Sequence, residues 1–155
     1  MSNIEQTKPR ADFARFALQF LLRIVGVITL CALPAVFMPL DWMDDAHRAL
    51  GLGPLPEGPV VEYLARSASG LYASLGILTL LLARDVERFA PLVTWWGVML
   101  VMMGAVLIWI DLEAGLPAYW TWGEGPLLIP VGLAALWLQR RVRARADRAV
   151  SHEKF

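Results

Sequence analysis

Apolar residues in this chain come in long runs, not in the alternation of a strand or the one-sided stripe of a water-soluble helix. A bilayer core about 30 Å thick needs roughly 20 apolar residues of helix. Four windows answer to that length, at about 16–38, 60–83, 92–110 and 119–139. The third, Leu92–Ile110, carries no charged residue, so as a helix it is apolar all round. A soluble four-helix bundle needs a polar outer face on every helix, and this segment has none. In the fourth window the apolar body Pro126–Gln139 would span only roughly 21 Å. It reaches spanning length when Tyr119-Trp120-Thr121-Trp122 sits at the membrane interface. The pattern therefore predicts an all-α fold, a four-transmembrane-helix bundle forming a single integral membrane domain over 1–155, with tails at 1–15 and 140–155. The first run ends in Val36-Phe37-Met38-Pro39, which offers no small-residue cleavage site, and reads as a permanent helix.

Composition agrees. The chain is 57% hydrophobic and 18% charged, against about 25% charged for a soluble domain. Fourteen basic residues balance fourteen acidic ones, which lacks the basic excess a nucleic-acid-binding protein needs. The distribution of charge adds more than its sum. Lys8, Arg10, Arg15 and Arg23 lie at the N-terminal end, Arg84 and Arg88 between the second and third windows, and six Lys or Arg after Gln139. The segments 39–61 and 111–125 hold only Arg48, with Asp41, Asp44, Asp45, Glu57, Asp111, Glu113 and Glu124. By the positive-inside rule both termini are expected in the cytoplasm, across a bacterial inner (plasma) membrane. The expected surroundings are the lipid bilayer, with a membrane-protein partner or a homo-oligomer.

Few residues offer chemistry. The lone cysteine, Cys31, excludes an intramolecular disulfide. The two histidines, His47 and His152, lie outside the spans, which excludes a bis-histidine membrane haem, and no cofactor is expected. No catalytic set emerges. Glu62 and Arg66 stand four apart at the start of the second helix and can pair on one face. The pair either fixes helix position or forms a gate or carboxylate clamp, with Tyr63, Tyr72 and Glu124 as companions. In the outer segment, Asp44 and His47 share a face if that stretch is helical. They belong either to an amphipathic interfacial helix or, with Asp41 or Glu124, to a zinc site. Ala65, Ser69 and Ala73, and Ser67, Gly70 and Ser74, make small-residue stripes that Gly97 and Gly104 can face. Glu57-Gly58-Pro59 and Glu124-Gly125-Pro126 repeat one tripeptide before an apolar run, either as a duplicated helix pair or as ordinary turn chemistry.

With four short spans, a Gly/Pro-rich outer loop and the run Glu62-Tyr63-Leu64-Ala65-Arg66-Ser67, the chain resembles small bacterial four-span membrane proteins of the DoxX-like kind. That resemblance implies a subunit or partner of a membrane oxidoreductase, and it carries over no catalytic residue. The function expected is a non-catalytic accessory or assembly subunit of a membrane complex. The alternative is a small transporter or lipid-pocket protein built on Glu62 and Arg66.

Overall fold

The computed structural model describes residues 8–153, with side chains placed over 13–144. Six α-helices and one 3-10 turn follow in the order α1 (Lys8–Leu30), the turn Leu33–Val36, α2 (Leu40–Ala49), α3 (Pro59–Leu82), α4 (Ala90–Ala114), α5 (Ala118–Gly123) and α6 (Gly125–Glu153). No strand occurs among the described residues. The all-α expectation holds. Three helical segments are long and apolar enough to cross a membrane: Phe13–Val36, Pro59–Leu82 and Ala90–Ala114.

Proline decides where the apolar runs break. The first expected helix, 16–38, stops at Leu30 because Pro34 has no N–H to continue the ladder and disfavours α geometry in the residue before it. Cys31 and Ala32 still donate back into the last turn, and the chain tightens into the 3-10 turn. The fourth expected helix, 119–139, divides at Glu124. Pro126 fits only the first turn of a new helix, so the chain ends α5 at Gly123 and restarts at Gly125. The apolar part of α6 is thereby left short, and α6, though 29 residues long, is not among the segments both long and apolar enough to cross a membrane. The third helix is longer than 92–110. Its end is set by Gly115, whose left-handed φ of 67° lets its N–H reach the carbonyls of Asp111 and Leu112.

Helix α1 begins at Lys8, and α6 runs on to Glu153. Lys154 lies outside the described residues. The side chains of Lys8, Arg10, Arg145, Arg148 and His152 do too.

The order long helix, short helix, long helix occurs twice. Both short helices start after a proline in the same extended conformation, Pro39 at φ −57°, ψ 147° and Pro117 at φ −57°, ψ 142°. Both then place a tryptophan three residues on, Trp42 and Trp120.

The chain forms two compact units, residues 23–80 and residues 1–22 with 81–155. In the first, α1 and α3 meet at glycine. A Cβ on Gly76 would lie 2.7 Å from the Leu30 nitrogen and 2.8 Å from the Gly26 carbonyl. In the second, α4 and α6 run antiparallel and meet at two glycine pairs. A Cβ on Gly132 would lie 2.6 Å from the Gly97 carbonyl, and one on Gly104 2.6 Å from the Gly125 carbonyl. Small residues matter at such crossings because lipid gives no hydrophobic drive between helices, so close backbone packing must supply it. Gly97 and Gly104 therefore face α6.

Outward surfaces are apolar. Only 17–22% of each candidate span is buried, and Phe13, Phe16, Ile28, Leu71, Met102, Trp109 and Leu133 are among the exposed side chains. Water would penalise this surface, whereas hydrocarbon matches it. Hydroxyls on the spans are satisfied locally: Thr29, Ser69, Ser74, Thr79 and Thr94 each donate to the carbonyl four residues back.

Candidate functional site

Glu62 and Arg66 do pair, with Arg66 Nε donating to Glu62 Oε1 at 2.9 Å. The rest of the guanidinium turns to the broken end of the first apolar run. Nη1 donates to the Val36 carbonyl at 2.5 Å and Nη2 to the Met38 carbonyl at 3.1 Å. These carbonyls lie where the 3-10 turn gives out before Pro39, so no helical N–H is available to them. Only arginine carries three differently directed donors on one rigid plane. Its fork thus serves two carbonyls at the break before α2, one of them, Val36, where Pro39 has no N–H to offer three residues on. Three of the five guanidinium N–H donors are thereby engaged within the fold.

Of the companions expected beside the pair, Tyr63 is 68% exposed and Tyr72 46% exposed. Glu124, at the break between α5 and α6, accepts a hydrogen bond from Trp120 Nε1 at 2.9 Å.

In α2, Asp44 and His47 share a face, as their spacing implies, and both are spent on the loop that follows. Asp44 Oδ1 accepts from the Leu55 N–H at 2.7 Å, and Oδ2 from Arg48 Nε at 2.8 Å. These bonds, the Leu55 N–H first and the Arg48 guanidinium second, hold the Asp44 carboxyl below its ordinary value of 3.8. His47 Nδ1–H donates to the Gly53 carbonyl at 2.8 Å, which fixes the tautomer. Gly53 itself sits at φ 82°, a conformation open to glycine. Asp44 and His47 therefore staple the 50–55 turn to α2. The zinc arrangement is not assembled: among the described residues no three His, Cys, Asp or Glu side chains stand close enough to share a metal.

Beside this staple lies an open depression of about 550 Å³, walled by Pro54–Pro59 and by Asp41, Asp44, Arg48, Glu57 and Glu62. Its carboxylates face Arg48, but Arg48 and Glu62 are already engaged in ion pairs.

Two polar side chains that sequence reasoning passed over are buried deeper than any of these. Asp111 is 3% exposed in the last turns of α4, and its Oδ2 has no hydrogen-bond partner. The sequence reading places it in an outer loop. Because α4 continues to Ala114, it falls instead inside the helix. It lies seven residues past Gly104, as Gly104 lies seven past Gly97. That heptad spacing was the signal available in the sequence. Gln139, 1% exposed, donates through Nε2 to the Val86 carbonyl at 3.2 Å and leaves Oε1 without a donor.

Compared with protein-family models, characterised proteins and solved structures, the chain matches none.

Proposed function

We propose that this protein is a four-span, non-catalytic inner-membrane protein that serves as an accessory or assembly subunit of a membrane complex. The observation that carries this reading is the commitment of Arg66 to Glu62 and to the Val36 and Met38 carbonyls. These bonds favour a role for the Glu62–Arg66 pair in holding the fold over a role in binding a transported anion. The exposed apolar helices fit lipid and the flanks of other membrane helices alike. In this reading α6 is the fourth span, completed by the aromatic α5 at the interface. Both termini then lie on the cytoplasmic side, where Lys and Arg concentrate. The layout shared with DoxX-like proteins agrees with the partner role.

The test is a mild-detergent purification from the native membrane, followed by native gel and mass spectrometry. A membrane protein recovered in fixed stoichiometry supports the reading; a chain that purifies alone at every detergent strength counts against it. Cysteine-accessibility labelling at positions in 1–7 and 154–155 checks the threading independently, and labelling from opposite sides of the membrane excludes an even number of spans.

A further inference from the structure

The 83–89 turn and the 140–143 segment of α6 bring arginines from two distant stretches of chain to one end of a single compact unit. Gln139 donates to the Val86 carbonyl, and Gln19 of α1 donates to the Arg84 carbonyl at 3.4 Å. Both bonds hold the turn against its neighbours. The α4–α6 register fixes the level: Gly97 faces Gly132, so seven residues further Ala90 stands level with Gln139. Arg88 lies just before Ala90, and Arg140, Arg141 and Arg143 just after Gln139. Both groups therefore emerge where the apolar helices end.

Five guanidiniums gather there, on Arg84, Arg88, Arg140, Arg141 and Arg143, and all five residues are exposed. Among the described residues none of them pairs with a carboxylate. Glu87 turns to Arg15 at 3.6 Å, and Asp85 accepts from the Arg88 backbone N–H. Two of the five lie over aromatic faces, Arg141 at 4.2 Å from the Trp137 ring centre and Arg88 at 5.6 Å from that of Phe89. Such stacking keeps the cation at the level where aromatic rings seek the headgroups.

We infer that this end of the unit is a docking surface for anionic phospholipid headgroups of the adjoining leaflet. The complement is a phosphodiester oxyanion, which guanidinium groups bind through paired N–H donors. The inference rests on membrane embedding but not on the accessory-subunit role.

Detergent-solubilised full-length protein is titrated with phosphatidylglycerol and, separately, phosphatidylcholine, with bound lipid read by native mass spectrometry. Preferential retention of phosphatidylglycerol, weakened by salt, is expected. Arg84→Gln/Arg88→Gln and Arg140→Gln/Arg141→Gln/Arg143→Gln should each lower that retention by about tenfold or more. Arg48→Gln, in α2, should leave it unchanged. Each variant is compared below its own melting transition, so a loss of fold is not read as a loss of binding. Equal retention of the two lipids, wild-type retention in both arginine variants, or an equal loss in Arg48→Gln overturns the inference. Displacement of the lipid by millimolar inorganic phosphate overturns it as well, in favour of a soluble phosphate ligand. Resistance of the protein to alkaline extraction from membranes tests the embedding separately.

Discussion

Gly104 and Gly125 stand so close that a Cβ on either would lie within 2.8 Å of the other's carbonyl oxygen. Backbone meets backbone between α4 and α6 at their glycine pairs, with Leu136, Ile129, Ile108 and Val101 packed around them. With the Gly97–Gly132 pair one heptad away, the contact is fixed at two points along the crossing, and a slip of one residue would drive side chains into both.

Gly104→Ala and Gly132→Ala are each expected to destabilise the protein by about 1–3 kcal/mol through overpacking against rigid backbone. Gly123→Ala supplies the contrast, because nothing lies within 4 Å of its Cβ position. Its effect should stay within about 0.5 kcal/mol. Thermal melting in a single detergent compares the three, and equal melting of all three would remove glycine packing as the basis of the α4–α6 contact.

Removing Arg66 strands two backbone carbonyls as well as a carboxylate. Arg66→Ala should therefore cost about 2–4 kcal/mol, as a charged donor with several acceptors. Glu62→Gln should cost less than about 1 kcal/mol, the usual worth of a partly exposed ion pair. The exchanged pair, Glu62→Arg with Arg66→Glu, should not recover stability, since a carboxylate at 66 cannot donate to Val36 and Met38. Chemical denaturation of the four proteins decides it; full recovery by the exchange would mean that the ion pair alone matters.

Asp44 gives the 50–55 turn a pH dependence with a definite sign. Its folded-state value is depressed below 3.8, so the stabilisation it contributes is complete above that value. It is lost as pH falls through the lower, folded value. The amide of Leu55, which donates to Asp44, should report the transition as a loss of protection from hydrogen exchange below pH 3.8. Asp44→Asn should abolish that acid-induced step, and a step that persists in the variant would assign it to another group.

Asp111 runs against the usual economy of a buried carboxylate. Its Oδ2 lacks a donor, and it sits in the last turns of α4, where the helix dipole is also unfavourable to negative charge. Asp111→Asn should therefore leave the isolated protein at least as stable, with a gain of up to about 3 kcal/mol. A lowered melting temperature would show that the carboxylate is stabilised by something the isolated fold does not display.

The sequence disclosed what depends on local spacing. Apolar run length located α3 and α4, the four-residue interval joined Glu62 to Arg66, and the three-residue interval placed Asp44 beside His47. It did not disclose the targets of those side chains. Arg66 reaches back some thirty residues to Val36 and Met38, at a break in the first run that apolar length does not disclose. Apolar length likewise runs on across Pro126, where the chain divides α5 from α6. Asp111 was hidden by a misplaced helix end: with the helix closed at Ile110 it counts as a loop acid, and with Gly115 as the cap it becomes the buried third member of the glycine face.

The restart at Pro126 has a mechanical outcome for the surrounding lipid. In the four-span reading α6 offers roughly 21 Å of apolar length between Pro126 and Gln139, against a hydrocarbon thickness of about 30 Å. Its partner α4, locked beside it by glycine, has 25 residues and needs no such adjustment. The two helices cannot both be matched by one flat slab. In that reading the shortfall along α6 is met by α5 at the interface, by snorkelling of the arginines past Gln139 and by local thinning of the bilayer. A four-span protein of this build would thin its membrane on one side, and neighbours with similarly short spans would gather there.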